Sequence, residues 1–221
     1  MFTISPALLD TGFMVWRKRN WPGDFHNALY ARLDRHRQEG MEQLWDVCLD
    51  SLSSWQAFRP LSKAMIVERE GSARRMERLT KHYALVRQKY GNADLTACTW
   101  DDIKKLFFAA ASIKGVRSPV FGSKLSHMLA PSLFPVIDRA AIGIPADGYA
   151  GYWSRCQRAW KTSTCQDELQ KRLRAKIDAT ITPSYPWASK ITELCSIGAH
   201  YQETHPSVSA SYPLITKAHI L

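Results

Sequence analysis

An all-α fold is predicted for this chain by three observations. Apolar residues recur at helical spacing in segment after segment, as Met76, Leu79, Tyr83 and Val86 do, with Gly, Pro and capping residues between the segments. Sustained period-two alternation bounded by turn signals is found nowhere, so strands are at most incidental. The 221 residues carry no internal repeat or low-complexity linker, and with 45% hydrophobic residues they have enough apolar mass for a sizeable core.

The elements follow in order. Residues 1–20 pass from an apolar opening to Trp16, Arg17, Lys18 and Arg19, and read as an approach to the first solid helix. Trp21-Pro22-Gly23 is a turn, and Asp24 is placed to cap a helix over residues 25–38, where Phe25, Leu29 and Leu33 share a face. Gly40 ends it. A second helix, over residues 41–58, keeps Leu44, Cys48, Leu52 and Trp55 in register as far as the break at Pro60. Residues 69–89 are the most basic segment, with Arg69, Arg74, Arg75, Arg78, Lys81, Arg87 and Lys89 around the apolar stripe named above. That charge has two readings, a solvated helix face or a surface turned toward phosphates. Gly91 and Asn92 close the helix. Thr99, with Asp102 three residues on, has the form of a capping box before a buried helix ending near Ile113. Further helices are predicted over residues 149–160, 166–181 and 187–201, the last two separated by the Pro-rich break at 182–186. The tail 206–221 receives no assignment.

Thirty Lys and Arg against twenty Asp and Glu leave a formal charge of +10, which makes a polyanion the natural partner. No run of 18 apolar residues exists, and the opening stretch lacks the basic and apolar regions of a signal peptide. A soluble, cytoplasmic protein is expected, with no membrane and no obligate protein partner. The five cysteines form no C-x-x-C pair and read as reduced core thiols, while His200 and His205 lie five apart rather than the four that would align two ligands on a helix. Neither a metal nor a cofactor is expected.

Residues 113–142 are the stretch around which the chain is organised. Lys114, Gly115, Val116, Arg117 and Ser118 have the composition of a tight turn between helices, and Pro119 suits the first position of the next helix. The amides and dipole at that helix start, with Lys114 and Arg117 nearby, form a site for one phosphate. Within the helix over residues 120–129 Lys124 is the anomaly: it runs along the surface, pairs with an acid, or serves chemistry. The apolar run Leu133-Phe134-Pro135-Val136-Ile137 then leads straight to Asp138, and a carboxylate in that position needs a reason. It is a cap for a helix beginning at Arg139 or a catalytic group, and spacing alone leaves both open.

Gly115-Val116, Ser123-Lys124-Leu125 and Pro131-x-x-Phe134-Pro135-Val136-Ile137-Asp138-Arg139-Ala140 together resemble the core motif of the helix-hairpin-helix DNA glycosylase superfamily, most closely its small bacterial glycosylase-like members. The resemblance covers about thirty of the 221 residues. It implies a two-lobed helical bundle forming one unit over residues 1–221, double-stranded DNA as partner, a hairpin at Lys114 to Ser118 gripping backbone together with Arg139, and Asp138 as the catalytic carboxylate. Arg117 stands where the family's hairpin has its second glycine, and Lys114 where it has a proline. The family's lyase lysine, four residues past the hairpin glycine, corresponds to Pro119, so the resemblance implies hydrolysis rather than Schiff-base chemistry, with Lys124 a nucleophile only if the helix is shifted by more than a turn. The cysteines do not match the spacing of members that carry an iron–sulfur cluster.

The implied activity is removal of a modified base to leave an abasic site, with the nucleotide flipped from the duplex and its base held by aromatic side chains. Trp21, Tyr149, Tyr152 and Trp153 are the candidates for that role, whereas Trp45, Trp55 and Trp100 keep core register. Oxidised and alkylated bases, and the glucosylated hydroxymethylcytosine of phage DNA in antiviral defence, are all compatible substrates. A non-catalytic helical DNA-binding module with Asp138 as a cap is the alternative.

Overall fold

The computed structural model describes residues 3–19, 27–59, 61–68, 70–91, 93–143, 145–177 and 184–206. Eleven α-helices and one 3-10 turn, and no strand, make up the regular structure among these residues. The helices are α1 (Pro6–Lys18), α2 (Asn27–Glu39), α3 (Met41–Ser54), α4 (Lys63–Val67), α5 (Ser72–Tyr90), α6 (Trp100–Ser112), α7 (Pro119–Leu129), α8 (Arg139–Ile142), α9 (Gly148–Thr162), α10 (Gln166–Arg174) and α11 (Trp187–Thr204).

Local chemistry sets most boundaries. The Thr99–Asp102 capping box opens α6, Gly91 closes α5, and α7 opens with Ser118 as cap and Pro119 in its first turn, each as the sequence predicts. Other boundaries differ, and helix α4 has no counterpart in the sequence reading. The opening segment is itself a helix, α1, capped by the Ser5 hydroxyl with Pro6 following, a pairing the apolar reading passed over. Helix α3 stops at Ser54 rather than 58, because Gln56 turns the chain with a φ of 53°. Helix α10 ends at Arg174, seven residues short of its expected end. The proposed Asp24 cap and the tail beyond Pro206 lie outside the described residues.

Helix α1 packs along α11, with Gly12 and Gly198 at their crossing, and α10 lies against both. Helices α2, α3, α5, α6 and α7 form a second set of neighbours, and α9 touches α6, α7 and α11. One apolar core nevertheless runs through both sets, from Leu9 and Phe13 to Leu106, Phe121, Trp153 and Leu194. Four of the five cysteines, Cys48, Cys98, Cys156 and Cys195, are buried in it as free thiols. No helix among the described residues is long and apolar enough to cross a membrane.

Between the two sets runs a buried stretch without regular structure, residues 132–137, and its backbone polar groups need partners that a helix would have supplied. Side chains from three helices provide them. The hydroxyl of Ser189 donates to the carbonyl of Ser132 at 3.0 Å, Trp153 Nε1 to Leu133 at 2.7 Å, His127 Nδ1 to Phe134 at 2.6 Å, Tyr149 to Pro135 at 2.7 Å and Tyr152 to Val136 at 3.0 Å. The Val136 amide donates to Glu193 Oε2 at 3.4 Å and the Ile137 amide to Ser123 Oγ at 3.1 Å. Since a carbonyl only accepts, His127 carries its proton on Nδ1, and Nε2 accepts from the Tyr30 hydroxyl at 2.8 Å.

Two consequences are measurable. A Cβ on Gly122 would stand 2.7 Å from the Ala111 Cβ and 2.9 Å from its Cα, where α6 and α7 cross, so Gly122→Ala is expected to lower unfolding free energy by about 1–3 kcal/mol in a urea titration. An unchanged midpoint would mean that the two helices do not meet there. Burial, reinforced by Lys190, holds His127 well below the ordinary histidine value. The unfolded chain therefore takes up a proton below about pH 6.5 that the folded one refuses, and stability falls by about 1.4 kcal/mol per pH unit from this group as pH drops below that point. His127→Asn is expected to flatten that part of the pH–stability curve, and equal slopes for the two proteins would refute it.

Candidate functional site

The buried stretch delivers Asp138 to the surface with its two oxygens differently engaged. Oδ1 accepts from the Ala140 amide at 2.9 Å, capping the single turn of α8, and Oδ2 lies 3.2 Å from Lys124 Nζ. The side chains are 29% and 11% exposed respectively, so the pair sits at a rim rather than in open solvent or deep interior. Successive residues of α7 divide the work: Ser123 holds the backbone of Ile137 and Lys124 holds the Asp138 carboxylate. Lys124 thus pairs with an acid, one of the alternatives left by the sequence, and the acid is Asp138.

An aromatic side chain that sequence reasoning assigned to the core completes the constellation. Trp55, at the end of α3 and half-buried, places its ring 5.9 Å from Lys124 Nζ. Its neighbour Gln56 is exposed and has the positive φ noted above, a conformation that costs an L-residue of order 1 kcal/mol or more. No periodicity signal marks Trp55, because it lies in register with Leu52 and differs only in standing where the helix stops.

The hairpin between α6 and α7 has the expected shape with one altered role. Gly115 takes a φ of 75°, its amide donates to Ser112, and the Ser118 amide reaches back to Ala111. Val116 is 57% exposed, and the guanidinium of Arg117 lies 4.3 Å from the centre of the Phe108 ring. Arg139 is exposed just past Asp138. Lys114, predicted to face phosphate, is instead buried: Nζ donates to the carbonyls of Arg59 at 2.9 Å and Ala57 at 3.3 Å and lies over the Phe121 ring. Burial pushes its pKa below the ordinary lysine value. It ties the hairpin to the loop that carries Trp55.

The aromatic candidates require a second correction. Tyr149, Tyr152 and Trp153 are at most 4% exposed, and their polar atoms are spent on the carbonyls of the buried stretch, so they support Asp138 from behind and offer no face to a base. Behind them, Glu193 pairs with Lys190 at 3.1 Å, both nearly solvent-free, and burial raises the Glu193 pKa against the pull of Lys190. Trp21 lies outside the described residues.

Among the described residues no three His, Cys, Asp or Glu side chains are grouped to hold a metal ion. Comparison with known protein families, with curated proteins and with solved structures finds no match to this chain.

Proposed function

We propose that this protein is a DNA glycosylase of the helix-hairpin-helix type that hydrolyses the N-glycosidic bond of a flipped, modified nucleotide in double-stranded DNA. The observation that carries the reading is the Asp138–Lys124 pair: Asp138 stands at the end of a buried stretch whose carbonyls from Ser132 to Val136 all have side-chain donors, and Lys124 is on the helix whose start follows the hairpin. Such rigidity is what a group needs if it is to meet charge that develops only in the transition state.

In this reading the α6–hairpin–α7 unit grips a phosphodiester through Gly115 to Ser118, with Arg139 alongside. Departure of the base leaves oxocarbenium-like charge on the sugar, and Asp138 stabilises it or takes a proton from the attacking water. Water adds hydroxide to the sugar carbon and a proton to the leaving base, so no covalent enzyme intermediate is required. Lys124 orients Asp138. Trp55, whose ring lies 5.9 Å from Lys124 Nζ, stacks on the extruded base in place of the tyrosines and tryptophan of α9. A modified base is the substrate class, with glucosylated hydroxymethylcytosine of phage DNA the specific suggestion and an oxidised or alkylated base the repair alternative.

The rival reading, a DNA-binding module without catalysis, is favoured by one observation: Asp138 Oδ1 caps α8, a structural role sufficient in itself. Asp138→Asn separates the two, because the amide keeps a capping oxygen and loses the charge. With duplexes or genomic DNA carrying the candidate modifications, this variant is expected to bind within a few-fold of wild type and to lose at least about 100-fold in abasic-site formation. Undiminished release by Asp138→Asn would sink the assignment. In a borohydride experiment no trapped adduct is expected, and an adduct abolished by Lys124→Ala would replace hydrolysis with Schiff-base chemistry.

A further inference from the structure

The basic face of α5 has an organisation that a merely solvated helix would not need. Leu79, Tyr83 and Val86 are buried, and Arg74, Arg78 and Lys81 stand exposed at the i, i+4, i+7 spacing of a single stripe. These three, with Gly71, Arg75, Glu77 and His82, line a shallow hollow of about 580 Å³. Lys105 of α6 contributes from the neighbouring helix, since it joins Arg78 and Lys81 in lowering the pKa of His82, after burial itself.

Some surface bases among the described residues are paired and others, such as Arg158, Lys161 and Lys171, are not; what sets the stripe apart is the gathering of its cations at one hollow. Lys63 meets Asp50, Lys89 meets Asp102, Lys104 meets Asp101, Arg155 meets Asp147, and Arg172 and Lys176 both meet Asp10. Among the described residues Arg74, Arg78, Lys81 and Lys105 form no ion pair within 4 Å, and Glu77 is the one acid at the hollow. Concentrated like charge destabilises a folded chain unless something compensates it. The stripe is also fastened to the hairpin: Arg75, on its flank, donates from Nε to the carbonyl of Ile113 at 3.2 Å, the residue at which the hairpin begins. From Arg74 to Lys81 the helix rises about 10 Å, a length over which duplex DNA presents several phosphates.

We propose that Arg74, Arg78 and Lys81, with Lys105, form a second phosphate-gripping surface that extends the hairpin's hold along the backbone of duplex DNA. The inference rests on DNA being the partner, as proposed above, but not on any base being removed. The hairpin fixes one point on a strand and the α5 stripe fixes direction, both by contacts that carry no sequence information. Duplex DNA is the occupant because three exposed cations on one helix face, with Lys105 beside them, match a regular row of phosphates, and Arg75 ties this end of α5 to the carbonyl of Ile113 just before the hairpin.

The test is the salt dependence of binding to a short unmodified duplex, followed by fluorescence anisotropy. Combined Arg74→Ala, Arg78→Ala and Lys81→Ala is compared with a control that removes the same charge from the exposed surface of α9 and α10, namely Arg158→Ala, Lys161→Ala and Lys171→Ala. Each lost phosphate contact lowers the log–log salt slope by about 0.9, so the α5 variant is expected to lose about two to three from it while the control stays near wild type. An α5 slope equal to wild type, or equal losses in both variants, would overturn the proposal, as would a wild-type protein that does not bind duplex at all. Loss of polyglutamate binding in the α5 variant, with the duplex slope unchanged, would assign the stripe to an acidic protein instead. Failure to release any base, with the expected slopes intact, would remove the glycosylase reading and leave this surface standing.

Discussion

The structure depends on making a non-helical stretch tolerable inside a helical protein. Residues 132–137 run through the core without regular structure, and each carbonyl left without a donor there would cost about 1–3 kcal/mol. Donors from α7, α9 and α11 converge on five consecutive carbonyls, from Ser132 to Val136. The requirement explains why α9 presents two tyrosines and a tryptophan on its buried face: each has an apolar body for the core and one polar atom for the backbone. Leu or Phe would fill the same volume and leave the carbonyls unmet. Glu193, buried and paired with Lys190, serves the same stretch from the other side through the Val136 amide.

That arrangement couples parts of the chain far apart in sequence. Helix α7 crosses α6 at Gly122, supports Ile137 through Ser123, and reaches Asp138 through Lys124, so the position of the carboxylate is set by the same helix that sets the hairpin. Lys114 links the hairpin to the loop after α3, whose first residue is Trp55. Two hydrogen bonds and a packed phenylalanine pair, Phe58 on Phe121, thus join the hairpin to the loop whose Trp55 ring lies by Lys124.

The readable parts of the sequence were those whose physics is local. Thr99 with Asp102, Pro119 after Ser118, Gly91 and the apolar stripes needed only neighbours within a turn or two, and the helices they predict are found. Asp138 also stood out locally, as an acid after an apolar run. What could not be read were roles that depend on distant partners. Tyr149, Tyr152 and Trp153 look like exposed aromatics near Gly-rich sequence until the carbonyls of residues 133–136 are placed against them. Lys114 looks like a phosphate ligand until the loop at 57–59 folds over it. Trp55 packs against the core as its register predicts, and only its distance to Lys124, a partner far along the chain, could not be read. Ser5-Pro6 was a local signal for α1 that the apolar opening obscured.

The division of labour at Asp138 limits how it can act. With Oδ1 on the Ala140 amide and Oδ2 on Lys124, both oxygens already have partners in the free protein. Each carboxylate oxygen can accept a second bond, so in the proposed chemistry a sugar cation can meet Oδ2 on the side Lys124 leaves free, with α8 and the ion pair intact. A nearby phosphate is the strongest competitor for Lys124, since its charge and oxygens match those of the carboxylate. The lysine keeps a partly buried acid from standing uncompensated while holding its orientation. A cap and a catalyst do not exclude each other at this residue, because each uses a different oxygen.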